Sequence, residues 1–130
     1  MEIIKLSEAK FENFPEENLK FAKLYRNEHI SISFDKYVVG IKTPTLYKNR
    51  PNGGKEILIP LVGKLRINTD GESKDFDPEN NGLSIVVIES NTNRQFENIG
   101  EKDALVLAIF SPPFSIKELE DFLASAGKKS

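Results

Sequence analysis

The chain has 130 residues, one histidine, no cysteine, and 18 Lys and Arg against 20 Asp and Glu, for a formal net charge of -2. This balance provides no basic face for nucleic acid, and the lack of cysteine excludes disulfides, thiolate catalysis and Cys-ligated zinc. No apolar run approaches the roughly 18 residues of a membrane span, and the N-terminus has no signal-like apolar core. We therefore expect a cytoplasmic protein with one domain over residues 1–130 and no nucleic-acid or membrane partner.

The first half of the chain predicts short β-strands. Residues 19–26 alternate imperfectly between apolar and polar side chains. Residues 30–34 alternate cleanly, which is typical of a half-buried strand whose apolar side faces the core. Pro44 breaks the pattern because proline has no backbone N–H to donate. The polar loop 48–54 then ends in two glycines, which adopt positive φ angles at little cost.

The second half contains the strongest strand signals. Two apolar strands are predicted at residues 55–62 and 64–69, with Gly63 at the corner between them. Residues 83–88 are rich in β-branched side chains, and residues 104–110 form a continuous apolar run, so both segments predict further core strands. Short strands punctuated by Gly, Asn and Pro indicate a small all-β barrel of the jelly-roll kind.

The end of the chain changes from strand to helix periodicity. Ser115 and Glu118 form a capping-box pattern, and Gly127 provides a stop. The apolar residues that follow recur on one helical face, namely Ile116, Leu119, Phe122 and Leu123. We expect a short helix over about residues 115–125 that closes the open side of the barrel or a subunit seam.

Metal-dependent and nucleophilic chemistry are poorly supported by the residues present. Barrels of this kind often hold a metal on several histidines, but this chain has only His29, which lies beside a predicted turn. His29 is therefore either a surface or turn-capping residue or a base whose partner the sequence does not identify. Neither a nucleophile elbow nor a phosphate-binding glycine pattern is present. We expect no metal and no cofactor.

Polar residues near the central strands are the candidates for ligand binding. Glu56 and Arg66 lie on successive strands, so they either meet inside the barrel and hold a polar ligand or form cross-strand ion pairs on a solvated face. Arg50 and Arg94, predicted in loops near strand ends, are further cationic candidates. The tyrosines on or near strands, Tyr37 and Tyr47, either stack on a sugar or base or pack in the core.

These residues resemble a known family, the cupin-fold sugar 3,4-ketoisomerases that act on dTDP-4-keto-6-deoxyglucose, also described as WxcM-like. The order and spacing match from about Leu19 to Leu123. The segments that carry the resemblance are 56–67, 70–71, 77–83 and 103–111. It implies a double-stranded β-helix, RmlC-like, in a metal-independent homodimer that exchanges N-terminal strands. It also implies an active site in the barrel cavity that binds a thymidine-diphosphate sugar.

The chain departs from that family at its proton-transfer groups. The positions that match the family's His-x-His pair read Asn49-Arg50-Pro51, and the position of a further histidine falls at about Arg94. A family arginine falls near Lys36. Arginine and asparagine cannot serve as bases near neutral pH. We therefore expect a sugar-nucleotide-linked cupin that is altered or non-catalytic, the alternative being a structural or protein-interaction dimer.

Overall fold

The computed structural model describes residues 1–13, 19–48, 50 and 53–115, and within them the regular secondary structure is almost all β-strand. A single 3₁₀ turn at Leu6–Glu8 precedes the strands. The strands are β1 (Glu12–Asn13), β2 (Leu19–Arg26), β3 (Ser31–Tyr37), β4 (Leu46–Lys48), β5 (Lys55–Val62), β6 (Leu65–Thr69), β7 (Glu72–Phe76), β8 (Val86–Ile88), β9 (Thr92–Asn98) and β10 (Ala104–Ser111), with helix α1 (Pro78–Asn81) between β7 and β8.

The strands form two antiparallel sheets that face each other. The first has the order β1-β2-β3-β10-β5-β8, and the second has the order β4-β9-β6-β7. The buried core draws on both sheets, since Leu58 and Val106 of the first pack in one cluster with Ile67 and Phe96 of the second. Neighbours in each sheet are often distant in sequence, as β10 lies between β3 and β5. The predicted all-β jelly roll is confirmed.

The corner at Gly63 fixes the path of the chain between the sheets. Its φ angle is +81°, and a Cβ atom there would lie 2.9 Å from the Cα atom of Ala104, so any side chain would meet backbone. The Gly63 N–H donates to a carboxylate oxygen of Glu79 on α1 at 3.1 Å. The predicted glycine corner is therefore a steric requirement of this fold.

Several predicted boundaries differ from the structure. Residues 55–62 form β5 as predicted, but only Val86–Ile88 of the segment 83–88 pair as a strand. Pro78–Asn81 form a short helix, in whose first turn Pro78 is tolerated because the N–H group there has no partner within the helix. The helix predicted over about 115–125 lies outside the described residues beyond Ser115. No helix among the described residues is long and apolar enough to cross a lipid bilayer.

Candidate functional site in the barrel interior

A carboxylate and a guanidinium meet between the two sheets. Glu56 belongs to β5, where it shares the inward face with Leu58 and Pro60. Arg94 belongs to β9, where it shares the inward face with Phe96. Their side chains are 3% and 0% exposed, respectively. Two oppositely charged groups are thus held in the interior by the period-2 alternation of strands from different sheets.

The contact between them is close but does not satisfy the arginine. Arg94 Nη1 lies 2.6 Å from Glu56 Oε1, and Nη2 donates to the carbonyl of Thr92 at 3.0 Å and, at 3.4 Å, to that of Glu89. Nε and Nη1 nevertheless have no aligned hydrogen-bond partner among the described residues. Nη1 is thus at ion-pair distance from the carboxylate, although its N–H bonds are not well aligned on that oxygen.

A tyrosine and a second carboxylate share this interior. Tyr37 is 4% exposed, and its ring packs against Phe96 with 5.3 Å between centroids. Asp35 lies opposite Val106 of β10, so it faces the same side of the sheet as the core. Burial, followed by the charges of Asp35 and Glu56, raises the pKa of the Tyr37 hydroxyl well above its usual value. The phenol is therefore neutral, and a hydrogen-bond donor, at neutral pH.

Arg50 is a second buried arginine, but its guanidinium contacts backbone. It is 3% exposed, and it donates to the carbonyls of Lys55 at 3.1 Å and Pro112 at 2.7 Å. It also lies over the Phe110 ring, 5.2 Å from the centroid. These contacts join the loop before β5 to the segment after β10. Ligand binding by Arg50 stays a prediction.

Arg66 lies outside the barrel, so the expectation that it meets Glu56 in the interior is wrong. Leu65 and Ile67 occupy the inward face of β6, which directs Arg66 to solvent. Its guanidinium donates to both carboxylate oxygens of Asp75, at 2.7 and 3.1 Å. The hydrogen bond from Arg66 is the main cause of a lowered pKa at Asp75. Arg66 does form a cross-strand ion pair on the solvated face, but its partner is Asp75 on β7 and not Glu56, which is buried.

For the other candidate residues, the structure corrects one predicted position and leaves one side chain undescribed. Arg94 was expected in a turn, but it is the third residue of β9. Tyr47 lies on β4 opposite Asn93, and its side chain is outside the described part of the chain. His29 is exposed in a turn, with Nε2 3.4 Å from Glu28 Oε1. Sequence reasoning missed Asp35, because its period-2 spacing from Ser31 and Ser33 placed it on the side of β3 that was expected to face solvent.

The interior does not fit a metal ion. Among the described residues no three His, Asp or Glu side chains converge in a way that could ligate one. The buried carboxylate of Glu56 already contacts the Arg94 guanidinium at 2.6 Å. A divalent cation on that carboxylate would lie against a permanent positive charge, which is unfavourable in a low-dielectric interior.

No protein-family model and no curated protein sequence matches this chain. Solved structures do resemble it. KdgF from Halomonas sp. superposes with a TM-score of 0.72 at 17% identity, over 85% of this chain and 94% of that one. An RmlC-like cupin from Shewanella frigidimarina gives a TM-score of 0.67 at 13% identity, over 83% and 87%. The capsular polysaccharide assembling protein CapF from Staphylococcus aureus gives 0.68 at 15% identity, over 85% of this chain and 32% of that one. Identities this low show the fold alone: the chain has the cupin, RmlC-like jelly-roll fold.

Proposed function

We propose that this chain binds a nucleotide sugar, or another small polar ligand, in the interior of its barrel. The observation that carries the proposal is the buried Arg94 guanidinium, which has two N–H-bearing atoms without an aligned partner among the described residues. Buried polar groups in native proteins are almost always hydrogen-bonded, and an exception calls for an explanation such as a ligand. We place the protein in the cytoplasm, as one domain over residues 1–130.

Two further observations support a role in deoxysugar or glycan biosynthesis. The collinear segments between residues 56 and 111 resemble the sugar 3,4-ketoisomerases. One structural neighbour, CapF, is named for capsular polysaccharide assembly. Both are analogies at the level of fold and motif order, so the site must carry the functional argument.

The interior groups suit binding better than proton transfer. Arg94 and the neutral Tyr37 hydroxyl are donors, and Glu56 is an acceptor held against a cation. Moving a proton between neighbouring sugar carbons at neutral pH needs a base, and the family's imidazole positions hold Asn49, Pro51 and Arg94 instead. We therefore propose chemistry that is altered or absent relative to that family.

A ligand panel tests this function. The protein is titrated with dTDP-4-keto-6-deoxyglucose, dTDP-glucose, UDP-glucose and free thymidine diphosphate while thermal unfolding is followed. A true ligand at a hundredfold excess over Kd stabilises the fold by about 2.7 kcal/mol. Arg94→Gln should respond less than the wild type to a nucleotide sugar that binds, whereas Arg66→Gln, on the solvated face, should respond equally. No response to any compound, or an equal response of Arg94→Gln to the nucleotide sugars, would refute interior binding.

Turnover is measured separately, by incubating the protein with dTDP-4-keto-6-deoxyglucose in deuterated water. Deuterium incorporation at C3 would establish isomerase-type chemistry carried out by altered groups and would exclude a non-catalytic cupin. Binding without exchange is the outcome expected of a non-catalytic cupin.

A second candidate function, a structural or protein-interaction dimer, is favoured by the outer face of the six-stranded sheet. Residues Ile57, Ile59, Leu107 and Ile109 alternate with the buried residues of β5 and β10, and they are only partly buried. Val87, opposite Ile57 on β8, is 50% exposed. An apolar sheet face that is partly accessible favours an interaction site. We propose a homodimer, and a monomer in sedimentation at micromolar concentration would contradict it.

A further inference from the structure

The interior of this barrel contains a buried carboxylate that requires a positive partner. Glu56 is 2% exposed, and an ionised carboxylate in an apolar interior is tolerated only when a cation or hydrogen bonds compensate it. In this chain the atom found 2.6 Å from the carboxylate oxygen is Nη1 of Arg94.

The guanidinium is held there by the backbone as well as by Glu56. Its Nη2 donates to the Thr92 carbonyl, in the same strand, and at longer range to the Glu89 carbonyl, in the preceding turn. Anchoring at Nη2 fixes the plane of the group because a guanidinium is rigid. Nε and Nη1 are left without an aligned hydrogen-bond partner among the described residues.

We propose that Arg94 is the resident cation of this barrel: it occupies the position on Glu56 where a metal ion would bind, and it donates its open N–H groups to an uncharged oxygen of the ligand. The oxygen is a carbonyl or hydroxyl, because Arg94 and Glu56 already neutralise each other. A phosphate would add a buried negative charge near Glu56 and Asp35. This inference rests on the proposed interior ligand site and extends it to a metal-free recognition mode.

Metal titration tests the first half and needs no sugar nucleotide. Wild-type protein is dialysed against a chelator, then titrated with Mn²⁺ and Zn²⁺ while metal content and thermal unfolding are measured. We expect no stoichiometric uptake and no rise in Tm. One metal ion per chain that raises Tm, in a manner abolished by Glu56→Gln, would overturn the proposal.

Chemical rescue tests the same point in the opposite direction. In Arg94→Ala the carboxylate of Glu56 is left facing a vacated space, so millimolar guanidinium should raise Tm where an equal concentration of NaCl does not. Arg66→Ala, which removes a solvated guanidinium, is the matched control and should show no rescue. Adding Glu56→Gln to Arg94→Ala should abolish the rescue. A rescue that persists in this double variant, or fails in Arg94→Ala, refutes the assignment.

Arg94→Lys keeps the charge but removes the planar donors, and it remains informative if Arg94→Ala does not fold. We expect it to fold, to ignore Mn²⁺, and to lose the extra stabilisation that a nucleotide sugar gives beyond free thymidine diphosphate. If Arg94→Lys instead loses the response to free thymidine diphosphate, the guanidinium contacts phosphate and the uncharged-oxygen assignment is wrong. If the protein binds no metal and guanidinium rescues Arg94→Ala, but no compound of the ligand panel stabilises the wild type, then the proposed function is wrong and the assignment of Arg94 as the cation on Glu56 still holds.

Discussion

The buried pair makes an unusual stability prediction: each single replacement should be damaging, and the apolar double replacement should not be. Arg94→Met leaves the Glu56 carboxylate in the interior without its cation, and it removes the donor to the Thr92 carbonyl. Glu56→Leu leaves the guanidinium without its anion. Both side chains are at most 3% exposed, so water cannot replace the lost partner.

The expected magnitudes follow from that burial. Removing one member of a buried ion pair costs about 3–5 kcal/mol, whereas replacing both by apolar side chains of similar volume is about neutral or stabilising by about 1–4 kcal/mol. The two atoms of Arg94 without aligned partners further reduce the contribution of this pair to the free energy of unfolding, because an unsatisfied buried donor costs about 1–3 kcal/mol. We therefore expect Glu56→Leu/Arg94→Met to be at least as stable as the wild type.

Urea unfolding of the four proteins in this cycle measures the coupling. With a slope of about 2 kcal/mol per molar urea, a loss of about 4 kcal/mol lowers the midpoint by about 2 M. The double variant should return to the wild-type midpoint or exceed it. If the two single losses are small, or if they add in the double variant, the two groups are not coupled in solution and the arrangement of the interior described above is wrong.

For three further substitutions the structure predicts the direction of the change in stability. Gly63→Ala places a Cβ 2.9 Å from the Ala104 Cα at a φ of +81°, so strain and overpacking together should cost about 2–4 kcal/mol in thermal unfolding; an unchanged Tm would refute the steric argument. The raised pKa of Tyr37 means that the unfolded chain ionises first as the pH rises past the usual tyrosine range. Wild type should therefore lose up to about 1.4 kcal/mol per pH unit there, and Tyr37→Phe should lose less; equal slopes would contradict this. Asp75→Asn breaks the exposed pair with Arg66 and should leave the urea midpoint nearly unchanged at high salt, whereas a large drop would show that the pair is not solvated.

The sequence predicted correctly those parts of the fold in which a single local pattern, such as an apolar run that ends at a glycine, determines the structure. β5 matches its predicted bounds because its apolar run is long and is followed by a glycine that no other residue can replace. Arg94 was misplaced because Asn91 and Asn93 are typical turn residues, and a β-turn pattern says nothing about the strand that begins inside it. Its charge also argued for solvent, since arginine is seldom buried without a partner, and that partner lies in the other sheet.

The orientation of β3 shows a second reason why the sequence did not reveal the site, namely that it does not say which face of a strand is enclosed. Its alternating serines were expected to face solvent, but the register sets Ser33 opposite Ala108 and Phe34 opposite Leu107 of β10. The serine side therefore faces the interior, and Phe34 lies on the outer face, where the ring of Phe11 covers it with 6.4 Å between centroids. Period-2 alternation identifies two faces, but only tertiary pairing decides which one is enclosed. The polar interior was hidden for that reason.

Stability and ligand binding should consequently change in opposite directions at this site. The buried arginine is a poor stabiliser because Nε and Nη1 lack aligned partners, and those same N–H groups are what a ligand oxygen would use. An interior rebuilt with apolar side chains would remove that cost, which is a substantial part of the about 5–15 kcal/mol by which domains are stable. Natural proteins retain such costs mainly where function depends on them. If Glu56→Leu/Arg94→Met is as stable as the wild type or more so and no longer responds to the ligand that stabilises the wild type, the pair is present for recognition. If stability and ligand response fall together, the pair is only structural.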